Sequence, residues 1–151
     1  MLARVGVACA LLAGCGGGGG GGGTVSEQPL SGAIGGRPWA FVTGQSNPFL
    51  SDENHFWVDA YATTFATCTQ SQPLNADELI LNLPTKVGSY SLGLNLNVTF
   101  YDGTTNDNLV ATSGTLTIDS VTTTMISGGL NAAYNAKTSV DGKFQATICA
   151  N

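Results

Sequence analysis

Along residues 30–151 apolar side chains recur mostly at every second position, the period of an extended chain with one buried face. The clearest stretch is 89–101, where Tyr90, Leu92, Leu94, Leu96, Val98 and Phe100 alternate with Ser91, Gly93, Asn95, Asn97 and Thr99. It predicts one long strand, or two joined at Gly93, with one face buried and the other wet. Residues 31–34 and 38–43 flank Gly35-Gly36, a dipeptide suited to the positive φ angles of a tight hairpin. Over 55–63, Phe56, Val58, Ala60 and Ala62 share one face, and Trp57, Asp59 and Tyr61 share the other. Leu79, Leu81 and Leu83 fall together before Pro84 ends their run, and Asp102-Gly103 opens a polar loop through Asn108. Three more strands are expected over 112–121, 125–134 and 139–149, the last with a turn or bulge at Asp141-Gly142.

No segment carries a convincing helical period. Short strands with turn signals roughly every ten residues predict an all-β domain, an antiparallel β-sandwich or small β-barrel of about 8–9 strands. Composition agrees. Only 10% of the chain is charged, against about 25% in an average soluble protein. Thr, Asn, Ser and Gly take the surface positions instead, as suits extracellular strands and turns.

The N-terminus changes the picture from fold to address. Residues 1–14 have the parts of a secretory signal: Arg4, an apolar core from Val5 to Leu12, and small residues at Ala13-Gly14. The apolar run is far shorter than the roughly 20 residues of a spanning helix. Leu12-Ala13-Gly14-Cys15 reads as a lipobox, with cleavage before Cys15 and a lipid on its sulfur. Such patterns resemble bacterial lipoprotein precursors, in which acyl chains hold the protein to the membrane at about 0.8 kcal/mol per buried methylene. Gly16 to Gly23 are all glycine and read as the start of a flexible tether. The expected organisation is therefore a signal over 1–14, a lipidated Cys15 and tether over 15–29, and one all-β domain over 30–151. The expected location is a bacterial cell envelope; Gly16 after the lipid cysteine, rather than an aspartate, points to the outer membrane.

That reading also sorts the cysteines. Cys9 leaves with the signal and Cys15 carries the lipid, so Cys68 and Cys149 remain, and two lone cysteines outside the cytosol are expected to pair. Cys149 has the opposite parity to Phe144 and Ile148, which puts it on the outer face or past the strand's end. The net charge is -5, and in the mature part only Arg37, Lys86, Lys137 and Lys143 are cationic. Nucleic acid is thereby excluded as a partner. The membrane, through the lipid, is the expected partner, with an envelope protein or small ligand beside it.

Several local motifs share an order with one group. These are Gly35-Gly36-Arg37-Pro38-Trp39, Ser113-Gly114-Thr115-Leu116-Thr117-Ile118, Ile126-Ser127-Gly128-Gly129-Leu130 and Gly142-Lys143-Phe144. In them the chain resembles small bacterial envelope lipoproteins of unknown function with a β-rich domain. The resemblance touches both ends of the domain and leaves the middle unmatched. It implies an architecture and supplies no catalytic residues.

Candidate chemistry is sparse. His55, the only histidine, follows Asp52-Glu53-Asn54, but no Gly-x-Ser-x-Gly elbow accompanies it, so a solvated loop is expected. Residues 102–108 offer several oxygens to a calcium ion but lack EF-hand spacing and read as a turn. Trp39, Trp57, Tyr61 and Tyr101 are the aromatics with polar tips; Trp57 and Tyr61, on one strand face, are the candidate ligand platform, with core packing as the alternative. No two of the ten acids stand out as a glycosidase pair. One histidine and no CxxC leave no metal site or cofactor to predict. The expectation is a non-enzymatic binding or structural module, with a carrier or sensor of a small apolar or sugar ligand as the alternative.

Overall fold

A computed structural model describes residues 23–69 and 72–150. Residues 1–22, with the expected signal and Cys15, lie outside them. The described chain is all-β, with eleven strands: β1 Ser31–Ile34, β2 Arg37–Ala40, β3 Thr43–Ser46, β4 His55–Tyr61, β5 Glu78–Pro84, β6 Gly88–Ser91, β7 Val98–Asp102, β8 Asp107–Ala111, β9 Gly114–Val121, β10 Met125–Asn135 and β11 Thr138–Thr147. They form one curled sheet, a half-barrel, in the order β6-β9-β10-β11-β3-β4-β5-β7-β8, with the β1–β2 hairpin attached through β1 to β11. Every pairing is antiparallel except β3 with β11, which meet in parallel at Thr147 and Gln45.

The period-two pattern works as predicted where both strand faces are defined. Val58 and Ala60 of β4, Leu79, Leu81 and Leu83 of β5, Phe100 of β7, Leu116 and Ile118 of β9, and Ile126 and Leu130 of β10 are all nearly or wholly buried on the concave side. Burying each such side chain is worth roughly 1.5–3 kcal/mol. The β1–β2 hairpin turns at Gly35 and Gly36 with φ of 59° and 81°, the two left-handed residues of a type I′ turn. Its second strand delivers Trp39, 3% exposed, into the same core. The hairpin is fastened by Arg37, whose guanidinium donates to Asp77 at 2.7 Å and to Asp102 at 2.6 Å.

The stretch 89–101 divides. Its first part, β6, pairs with β9 and its second, β7, pairs with β5. The intervening residues turn where Gly93 N donates to Leu96 O at 2.7 Å, and Leu94 stands 87% exposed at the bend. The alternation is thus two strands with different partners, and Leu94 faces solvent. Two strands carry no separate signal in the sequence: β3, of which only Thr43 falls in the expected run 38–43, and β8, which begins in the expected polar loop and gains strand structure from its pairing with β7.

Residues 25–29, expected within the tether, lie against the sheet. Ser26 N donates to Asp141 Oδ1 at 3.0 Å, Lys143 N to Gln28 O at 2.8 Å and Leu30 N to Lys143 O at 2.7 Å. Gly142 makes this possible. Its φ is +136°, and the space a Cβ would take is filled by the backbone of Gln28 and Pro29. Asp141-Gly142 is therefore a crossing point within β11, which continues through it to Thr147.

Candidate functional site

The outer face of β3, β4 and β5 carries the densest polar chemistry of the described residues. Between β4 and β5, residues 62–69 and 72–77 do not turn tightly but lie as a strap over that face. Phe65 of the strap packs edge-on against Tyr61, with ring centroids 5.4 Å apart at 90°. Cys68 takes a left-handed φ of 59°, and its N–H donates to Gln45 Oε1 at 2.6 Å. Its sulfur is bridged to Cys149, with the Cα atoms 5.3 Å apart. Cys149 lies past the end of β11, as its parity allowed, and its N–H donates to Ser46 Oγ at 2.9 Å. Gln72 Nε2 donates to Asp59 Oδ2 at 3.0 Å. The strap is held by a bridge, a ring contact and two side-chain amides.

Beneath it sits a pair of acids. The β4–β5 register sets Glu78 opposite Tyr61 and Ile80 opposite Asp59, so Asp59 and Glu78 are diagonal neighbours on the outward face. On the other side of Glu78 stands Tyr101 of β7. The Glu78 carboxyl hydrogen-bonds Asp59 and the Tyr61 hydroxyl, and burial, aided by the charge on Asp59, pushes it up to about 7. Burial raises Asp59 as well, opposed by the hydrogen bonds from Gln72 and Glu78. Burial, then the charge on Glu78, raises Tyr61. Burial and mutual repulsion thus favour a single proton held between the two carboxyls.

Beside the strap, between Cys68, Thr69 and Gln72 on one side and the loop after β3 on the other, runs a groove of ≈ 430 Å3. Gln45, Asn47, Phe49 and Gln72 line it together with the cystine. Phe49 is 95% exposed at its rim.

The residues singled out from sequence fare differently. Cys68 and Cys149 come together as the bridge, and Cys15 lies outside the described residues. Trp57 and Tyr61 share the outward face of β4, but Tyr61 is only 4% exposed beneath Phe65 and Trp57 is half-buried. They do not form an open stacking face, because Phe65 of the strap covers Tyr61. Trp39 is a core residue whose Nε1 donates to Asp77 O at 3.3 Å. His55 opens β4, with its Nδ1 3.9 Å from Asp52 Oδ1. That oxygen accepts the backbone N–H groups of Asn54 and His55, which hold the Asp52 carboxyl below its ordinary range. The arrangement is a turn cap. In the Asp102 loop, Oδ1 of Asp102 accepts from Arg37, Thr104 and Thr105, and the Arg37 guanidinium first of all lowers its carboxyl. The Asp102 oxygen offered to a calcium ion is occupied in closing the hairpin.

Asp59, Glu78, Gln45 and Gln72 were not picked out beforehand. The in-phase leucines of β5 do put Glu78 outward, and Val58 and Ala60 of β4 put Asp59 outward. Their meeting depends on strand register. No protein-family model, curated protein or solved structure matches this chain.

Proposed function

We propose that this chain is a lipid-anchored protein of a bacterial cell envelope, held at the outer membrane through Cys15, whose β domain is a non-catalytic binding or structural module. The observation that carries the reading is the Cys68–Cys149 bridge. Once the lipobox accounts for Cys9 and Cys15, these are the remaining cysteines, and a bridge between them fits an oxidising compartment. The likeness of the Gly35-to-Trp39 and Ile126-to-Leu130 motifs to small envelope lipoproteins supports it further. The acids of the histidine and calcium candidates have structural duties: Asp52 caps a turn and Asp102 clasps Arg37. The concave face is filled by leucine and phenylalanine side chains, which disfavours an apolar ligand carried inside. A ligand bound on the outer surface is favoured instead by the groove beside the strap.

Growth with an alkyne fatty acid, followed by fractionation, tests the anchor. The wild-type chain is expected to take up label and sediment with membranes, and Cys15→Ala to do neither. A Cys15→Ala protein that stays labelled or membrane-bound after washing refutes the lipobox.

A further inference from the structure

The groove beside the strap is lined by neutral hydrogen-bonding groups whose orientation is already set. Gln45 is 5% exposed, and its Oε1 takes the Cys68 N–H, which leaves its Nε2 as the outward function. Gln72 spends Nε2 on Asp59 and keeps Oε1. Asn47 spends Oδ1 on the Phe49 N–H at 3.1 Å and keeps Nδ2. Among the described residues these remaining halves have no partner. The groove thus offers two amide donors and one amide acceptor of defined identity, with no charged side chain among the described residues that line it.

Its walls are rigid on the side that matters. Asn47 N donates to Trp57 O at 2.7 Å, Ser51 Oγ to Asn47 O at 2.7 Å, and Trp57 N to Ser51 Oγ at 3.1 Å. The loop carrying Phe49 is therefore tied back to β4, and its ring is presented to solvent at 95% exposure without a packing role. The floor is the cystine and Ser46, whose hydroxyl already accepts the Cys149 N–H. A volume of ≈ 430 Å3 falls within the roughly 300–1,000 Å3 of small-molecule sites.

These features select a ligand class. A charged ligand would lose water and find no counter-charge. An apolar ligand would cover three amide groups and leave them unbonded, at about 1–3 kcal/mol each. A neutral ligand with both donors and acceptors on its edge and an apolar face for a ring satisfies all four side chains. We propose that this groove is a binding site for one pyranose unit of a neutral saccharide, with Phe49 as the stacking face and Gln45, Asn47 and Gln72 as the edge contacts. The proposal rests on reading the domain as a binding module, and it adds the ligand class. N-acetylated sugars of a cell-wall glycan and plain hexose polymers share this chemistry.

The full lipidated chain in a sugar-free zwitterionic detergent, 15N-labelled, separates the two sources when titrated with chitotetraose and with maltotetraose. Concentrations to about 10 mM detect a millimolar Kd. At least one sugar is expected to shift amides confined to residues 45–49, 68 and 72, and Phe49→Ala is expected to weaken that binding at least tenfold. Because Phe49 is so exposed, the variant's spectrum elsewhere should match the wild type, which separates lost binding from lost folding. Gln72→Leu provides a second variant, with a similar loss expected. Absence of localised shifts with both sugars, or an unchanged Kd in Phe49→Ala, overturns the site. Fatty-acid label on Cys15 is read separately. A labelled protein that binds no sugar leaves the anchor standing, and a sugar-binding protein without label does the reverse.

Discussion

Replacing Glu78 by Gln should remove most of the domain's pH dependence between pH 5 and 8. In the folded protein Glu78 holds its proton up to about 7; the unfolded chain releases it near the ordinary value of 4.5. Between those values the folded state binds more protons than the unfolded state, so stability falls as pH rises. The rise from 4.5 to about 7 sets a ceiling of roughly 3 kcal/mol. The carboxyl is only partly enclosed, and screening by water brings the expected loss down to about 1–2 kcal/mol. Asp59 contributes with the same sign, since burial raises it too. Asp52 and Asp102 are lowered, so the stability they add is lost only in acid below this window. Glu78→Gln keeps a donor toward Asp59 and has no proton to release. Urea unfolding with the disulfide intact, at pH 5 and pH 8, is the assay. Wild type should have the lower midpoint at pH 8, and the variant should show little difference. A wild type more stable at pH 8, or a variant with an unchanged slope, refutes the shared proton.

Removing the bridge with Cys68→Ala and Cys149→Ala should cost up to about 4–5 kcal/mol by loop-closure entropy for its separation of 81 residues. It should also raise hydrogen exchange at the Cys68 amide, and calorimetry with exchange mass spectrometry reads both. Gly142→Ala should destabilise by at least about 2 kcal/mol, since a side chain is strained at that φ and meets the backbone of residues 28–29. Faster proteolysis within residues 23–29 is the expected signature, and unchanged cleavage there counts against the crossing.

How much was legible follows from whether a feature is local. The Gly35-Gly36 turn, the leucines of β5 and the buried side of β4 are properties of a few adjacent residues, and they read directly. The bridge was legible because reading residues 12–15 as a lipobox sets Cys9 and Cys15 aside and leaves two cysteines. Strand partnership is different: Tyr90-to-Phe100 alternates in the same way whether it pairs with one neighbour or two. Only the curl of the sheet sends β6 to β9 and β7 to β5 and leaves Leu94 outside. Asp59 and Glu78 likewise become a pair only when Tyr61 falls opposite Glu78. Tyr61 disappears from the surface because a strap with no period of its own lies down on it. Residues 25–29 are polar and small, like a tether, and the position that orders them is Gly142, more than a hundred residues away.

The single parallel pair between β3 and β11 has a consequence for cooperativity. The sheet's ladder is continuous on either side of Thr147 and Gln45, and there it narrows to one residue pair. Such a seam would ordinarily divide a protein into two units that unfold independently. Here the chain crosses between the two sides four times, from β2 to β3, β5 to β6, β6 to β7 and β8 to β9. Neither side is a contiguous length of sequence, so neither can fold first and wait for the other. The narrowest joint in the hydrogen-bond network is thus laced shut by connectivity, and the cystine fastens the same spot.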